Sequence, residues 1–154
     1  MDFDADGIED VIAGSIYEDV YLFRGLGKGK FAKRKLLRDK DNNPIKGGYC
    51  CTTELLDMDA DGDLDIVSAS SGDNTIAWYE NNGAANPTWT AADIATSANG
   101  AYSVDVADMD CDWYLDIVSA STPAHPLAWY LTHVAAHPTL IAAHHSLPAA
   151  RTAP

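Results

Sequence analysis

Tyr102, Val104 and Val106 alternate with Ser103 and Asp105, and Cys51, Thr53 and Leu55 fall in the same register of an earlier, similar stretch. A period of two is the pattern of a half-buried β-strand. Shortly after each stretch comes the run DIVSAS, at 65–70 and again at 116–121, followed by TIAWYE at 75–80 and LAWY at 127–130. These short segments are rich in β-branched and aromatic residues, which favour a pleated surface. Between the first pair lies SSGDN, residues 70–74, whose Gly-Asp-Asn is turn chemistry. One unit therefore predicts a strand, an acidic loop, a strand, a tight turn, a strand, a polar Gly/Asn loop and a weaker fourth strand.

The unit recurs. DFDADGIEDVIAG begins at residue 2, DMDADGDLDIVSAS at 57 and DMDCDWYLDIVSAS at 108. NTIAWYENNG (74–83) matches HPLAWYLTHV (125–134), and DVYLFRGLGKG (19–29) holds the equivalent place in the first copy. Upstream, YCCTTELLD (49–57) matches GAYSVDVAD (100–108). Even the Ala/His/Pro-rich tail continues the pattern, because AAHPTLIAAH (135–144) falls on AANPTWTAAD (84–93). The copies divide the chain at 1–47, 48–98 and 99–154, the first without a strand ahead of Asp2 and the third with a degenerate outer segment. Four short antiparallel strands in roughly 50 residues is the sheet unit of a β-propeller blade. The expected fold is all-β: consecutive four-stranded antiparallel sheets, about three blades of a partial propeller.

The acidic loop carries the candidate chemistry. Counted from its first aspartate, carboxylates fall at positions 1, 3, 5 and 9 with glycine at 6: Asp2, Asp4, Asp6 and Asp10 with Gly7, then Asp57, Asp59, Asp61 and Asp65 with Gly62. Close like charges repel by about 1 kcal/mol per pair even in water, so a cation is the natural partner. Oxygen-only donors in this number suit Ca²⁺ better than Mg²⁺, and the lack of imidazole and thiolate in the first two loops argues against zinc or copper. Glycine at position 6 permits the positive φ that folds the chain back on itself. An EF-hand begins the same way, but it requires flanking helices and a glutamate at position 12, where this chain has Ala13, Ser68 and Ser119. The third loop keeps Asp108, Asp110, Asp112 and Asp116 but puts Trp113 at position 6, where a bulky residue is disfavoured. Two Ca²⁺ sites are expected, and the third is left open.

The pattern DxDxDGxxD, followed by an apolar strand and an AWYENNG-like third strand, resembles the FG-GAP/VCBS repeat family, the integrin α-subunit type of propeller blade. The resemblance implies that each loop joins two strands of one blade and binds Ca²⁺ through side chains 1, 3, 5 and 9 and the carbonyl of position 7. Those carbonyl donors would be Ile8, Asp63 and Tyr114. It also implies a non-catalytic module of an extracellular or cell-surface protein that binds protein or carbohydrate. The alternative is a propeller that scaffolds an extracellular hydrolase or lyase. Trp78, Tyr79, Trp129 and Tyr130 are candidates for stacking on sugar rings, although aromatics recurring at one strand position favour inter-blade core.

Composition narrows the classes. With 10 basic residues against 23 acidic ones and a net charge of −13, a nucleic-acid partner is not expected. Eight of the basic residues lie between Lys28 and Lys46, in what reads as a solvated edge strand and loop. No run approaches the roughly 20 apolar residues that span a bilayer. Cys50, Cys51 and Cys111 form neither a disulfide framework nor a zinc site and are expected to be buried. No secretory leader is read at Met1-Asp2. The five histidines, His125, His133, His137, His144 and His145, sit in a tail ill suited to hold a catalytic base, and no nucleophile elbow, zincin motif or P-loop occurs. An arc of about three blades is expected to be a fragment or to complete its ring by self-association.

Overall fold

The computed structural model describes residues 2–4, 6–15, 17–48, 52–84, 87–121, 127–132 and 141–143. The described residues form three four-stranded antiparallel sheets. The second sheet is the most regular, with β5 (Thr53–Leu56), β6 (Asp65–Ser70), β7 (Thr75–Asn81) and β8 (Trp89–Ala95) side by side in chain order. The third repeats it with β9 (Ala101–Ala107), β10 (Asp116–Ser121), β11 (Leu127–Leu131) and β12 (Ile141–Ala143). The first contains β1 (Val11–Gly14), β2 (Glu18–Phe23) and β3 (Lys35–Leu36), with β4 (Lys46–Gly48) also pairing with β2.

The register reproduces the sequence repeat. Ile66 faces Tyr79 and Val67 faces Trp78 in the second sheet, just as Ile117 faces Tyr130 and Val118 faces Trp129 in the third. The degenerate tail supplies its outer strand, since Ala142 pairs with Tyr130 as Ala91 pairs with Tyr79. In the first sheet β4 pairs with β2 and brings the number of strands to four. The basic stretch contributes the two-residue β3 and the first residue of β4, Lys46, with Lys33, Arg34 and Lys35 exposed.

Alternation along β6 and β7 sends their side chains to opposite faces, and both faces are covered. Toward the first repeat, Ile66, Ala77, Tyr79 and Trp89 pack with Val20, Leu22, Leu37 and Ile45. Toward the third, Val67, Ala69, Ile76 and Trp78 pack with Ala101, Val104, Ile117 and Tyr130. Every residue of β6 is therefore buried. Full burial of each large apolar side chain contributes roughly 1.5–3 kcal/mol, so the seams between sheets are the core. Polar ties cross both seams: the Lys46 amide donates to the Tyr79 hydroxyl (3.2 Å), and the Val104 amide donates to Thr52 Oγ1 (2.8 Å).

Trp78, Tyr79 and Tyr130 are at most 6% exposed, so they are seam residues rather than sugar platforms. Trp129 occupies the same position as Trp78 but is 36% exposed, on the face of the third sheet turned away from the second. Cys111 departs from expectation: it is exposed, because it sits in an acidic loop with a left-handed backbone (φ 64°) instead of on a strand. Cys50, Cys51 and the five histidines lie outside the described residues. Among the described residues no helix is long and apolar enough to cross a membrane.

Candidate metal centre

Each acidic loop joins the first two strands of its sheet or leads into β1, and all are closed by the same hydrogen bonds. The carboxylate at position 1 accepts from the amide of position 6: Gly7 to Asp2 (2.7 Å), Gly62 to Asp57 (3.0 Å) and Trp113 to Asp108 (3.1 Å). The carboxylate at position 5 accepts from the amide of position 7: Ile8 to Asp6, Asp63 to Asp61 and Tyr114 to Asp112, at 2.8–2.9 Å. The third loop thus keeps the turn despite its tryptophan. Trp113 takes φ 75°, beside 85° at Gly7 and 96° at Gly62, and its side chain is 93% exposed.

A non-glycine residue in this left-handed region is strained by roughly 1–2 kcal/mol, partly offset because glycine loses more chain entropy on folding. Trp113→Gly is therefore expected to stabilise the chain by about 0.5–1 kcal/mol. Denaturant midpoints measure this directly, and a lower midpoint would mean that the indole makes a stabilising contact.

Closure turns the carboxylates inward. Oxygens of Asp2, Asp4 and Asp6 lie within 4.8 Å of one another, as do those of Asp57, Asp59 and Asp61, and in the third loop those of Asp108, Asp110 and Asp116. Burial raises the pKa of Asp59, and the charges of Asp61, Glu80 and Asp57 add to the rise. Asp110 is raised as well, first by desolvation and then by the charges of Asp112 and Asp116. One oxygen each of Asp57 and Asp4 is buried without any hydrogen-bond partner. A buried acceptor left unpaired is unfavourable. Crowded carboxylates, an oxygen-only donor set and an orphaned oxygen together fit a hard cation.

Asp10 and Asp65, at position 9, stand apart from the groups of three, whereas Asp116 belongs to its own, and all three aspartates share a second set of bonds. Asp65 is fully buried and accepts from the amides of Met58 (3.2 Å) and Asn81 (2.8 Å) and from the Trp78 indole (3.0 Å). Asp10 accepts likewise from Phe3 and Gly25, and Asp116 from Met109 and Thr132. Each thus ties the second residue of its loop to the end of the third strand of its repeat. Burial pushes the Asp65 carboxyl up to about 6, against the lowering effect of its three donors. Of the predicted ligands, Asp10, Asp65 and Asp112 are not in the tight groups of three, whereas Asp116 is. Ile8, Asp63 and Tyr114 lie in the loops through their amide bonds.

Sequence reasoning missed one participant. Arg24 places Nη1 2.8 Å from Asp4 Oδ2, bringing a cation into the first loop. Gly25, Asn81 and Thr132 are equivalent donors to position 9, so the residue before each is also equivalent: Arg24, Glu80 and Leu131. The same place therefore carries a positive, a negative and a neutral side chain. Setting DVYLFRGLGKG on NTIAWYENNG with Gly25 on Asn81 would have found it.

No curated protein and no solved structure matches the chain. A family model described as an FG-GAP-like repeat matches residues 57–119, which run from the second acidic loop through its sheet and the third acidic loop into β10. Residues 57–119 therefore belong to the FG-GAP-like repeat family.

Proposed function

We propose that the chain is a calcium-stabilised, non-catalytic binding module, acting outside the cell or at its surface on a protein or carbohydrate ligand. The observation that carries the calcium reading is the buried, unpartnered Oδ1 of Asp57 beside two further carboxylates. Without a cation this loop sets like charges together and leaves an acceptor unsatisfied. A bound divalent ion supplies the missing positive charge. Asp57, Asp59 and Asp61 would hold it, with Asp2, Asp4 and Asp6 forming a weaker counterpart because Arg24 already neutralises part of that loop. The residues that shape the loop, Gly62 through its backbone and Asp65 through its amide bonds, keep the carboxylates convergent. Binding to a site that exists only in the folded chain adds to folding stability.

Calcium at about a hundred times its dissociation constant is expected to add roughly 2.7 kcal/mol. That corresponds to a rise in melting temperature of roughly 5–11 °C for a domain of this size. Magnesium at equal concentration is expected to do much less, because it resists dehydration and demands octahedral geometry. A melting curve that is the same in calcium and in chelator would remove calcium from the proposal.

A further inference from the structure

In the first repeat a hairpin runs on past the end of its sheet. β2 stops at Phe23, but the chain stays paired with its return. The Ala32 amide donates to the Arg24 carbonyl (2.8 Å), Gly25 bridges Phe31, and the Leu26 amide donates to the Lys30 carbonyl (2.8 Å). The Lys30 amide then closes on the Gly27 carbonyl (3.1 Å) through left-handed Lys28 (φ 54°) and Gly29 (φ 69°). Two successive residues of this hand make the tight turn that matches the twist of a hairpin. Three residue pairs at ~3.3 Å each put the turn roughly 10 Å beyond the sheet.

The base of this hairpin is fixed and its tip is bare. At the base the Gly25 amide donates to Asp10 (2.6 Å) and Arg24 pairs with Asp4. A side chain at Gly25 would run into the Glu9 carbonyl and Ile8, so glycine is required where the hairpin lies against the first acidic loop. At the tip Leu26 is 61% and Phe31 47% exposed. Lys28 and Lys30 are exposed as well, without an ion pair among the described residues. Between the tip and Gly7, Ile8 and Glu9 lies a cleft of about 350 Å³ whose hairpin wall includes Lys28, Lys30 and Phe31. Glu9 is its one acidic side chain, against two lysines.

Lysines on an edge strand discourage pairing with another chain, which accounts for Lys33 and Lys35 beside β3. It does not account for two large apolar side chains and two lysines beyond the sheet. The second repeat supplies an internal comparison. With Gly25 set on Asn81, Leu26 falls on Asn82, Lys28 on Ala84 and Phe31 on Pro87. Asn82 turns its side-chain oxygen back to accept from the Thr88 amide (3.0 Å). That loop carries no charge and satisfies its own polar groups, whereas the tip of the first repeat offers both charge and apolar surface outward.

The sign of the charge selects an anionic partner, since eight of the ten basic residues of a chain of net charge −13 lie between Lys28 and Lys46. The apolar side chains select among anions. An acidic polysaccharide would be satisfied by lysines alone, but exposed Leu26 and Phe31 match a partner with an apolar interior. Basic residues around an apolar point suit the interface of an anionic bilayer, where side chains sink roughly 5–10 Å, about the length by which this hairpin protrudes.

We propose that this hairpin tip docks the protein on an anionic phospholipid surface. Leu26 and Phe31 enter the boundary between headgroups and acyl chains, and Lys28 and Lys30 meet the phosphates. The contact lies beyond the binding-module reading, uses neither metal loop and does not cross the bilayer.

Co-sedimentation of the full chain, in calcium buffer, with vesicles of equal parts phosphatidylcholine and phosphatidylglycerol tests it against vesicles of phosphatidylcholine alone. Binding is expected to the mixed vesicles and to be at least about tenfold weaker to the neutral ones. Each lysine at an anionic surface contributes about fivefold, so Lys28→Ala/Lys30→Ala should weaken binding about 25-fold. Leu26→Ser/Phe31→Ser should weaken it at least about tenfold, through apolar surface no longer buried. Lys40→Ala removes a positive charge that is paired with Asp41, away from the tip, and should bind like the parent chain. Phe31→Trp should be quenched by lipids brominated in the acyl chain beyond the quenching of the four native tryptophans.

The docking is overturned if the chain sediments with neither vesicle, if neutral vesicles serve as well, or if Lys40→Ala loses as much as the tip lysines. Normal binding by the serine variant also overturns it, and equal binding to heparin would then mark a soluble polyanion as the partner. Binding that no tip variant changes would mean that calcium alone bridges the acidic chain to lipid, which rejects the docking too. Vesicle binding and the effect of calcium on melting are separate measurements, so the failure of one leaves the other standing.

Discussion

Asp65→Ala is expected to destabilise the chain by about 3–5 kcal/mol, the loss that follows when several buried donors are left unpaired at once. The carboxylate accepts from two backbone amides and the Trp78 indole, and none of these has another partner in prospect once it is gone. The Met58 amide lies at the entrance of the acidic loop and the Asn81 amide at the end of β7, so one side chain joins the loop to the far side of its hairpin. Trp78 packs between the second and third sheets, and disturbing its indole therefore weakens a seam as well as a loop. Asp59→Ala is a sharp contrast: in chelator it removes a carboxylate crowded by Asp57, Asp61 and Glu80 and should be neutral or mildly stabilising. Urea unfolding of the two variants in chelator measures the difference. Equal losses would mean that the position-9 aspartate has no structural role beyond that of its neighbours.

In chelator, stability is expected to fall as pH rises from 4 to 7, the reverse of ordinary acid denaturation. Burial holds the Asp65 carboxyl at about 6 in the folded chain, above the ordinary carboxylate value of 3.8. A raised folded value means that the native state binds the proton more tightly than the unfolded chain does. The resulting stability is fully present below about pH 4 and is lost as pH rises through about 6, a contribution of about 3 kcal/mol. Asp59 and Asp110 are shifted in the same direction and add to the trend. A bound divalent cation competes with these protons, so calcium should flatten the dependence. Urea midpoints at pH 5 and pH 7.5, each with calcium and with chelator, give the four values needed. A higher midpoint at pH 7.5 than at pH 5 in chelator would contradict the assignment.

The repeat and its strand register were legible because they are written in side chains. DIVSAS occurs twice unchanged, and Val67 with Trp78 and Val118 with Trp129 face each other as the shared spacing requires. The carboxylates at positions 1, 3 and 5 were legible for the same reason, and in the first two loops the structure gathers them. The second duty of position 9 was hidden, since most of its partners are backbone amides, which every residue type offers. Arg24 was hidden by a small change of spacing between Asp10 and the strand that follows it. Trp113 argued against a left-handed turn, yet the loop forms, because the amide bonds to Asp108 and Asp112 outweigh the strain.

The seams join unlike surfaces. The Trp78 side of one sheet always meets the Tyr130 side of the next, and Val20 and Leu22 meet Tyr79 in the same sense. Such a stack has polarity, like a column of cups. The exposed Leu127 and Trp129 match a surface of the Tyr79 kind and not a second surface like themselves. A two-fold, face-to-face pair would require a contact that neither existing seam uses, whereas head-to-tail addition repeats one that is already present.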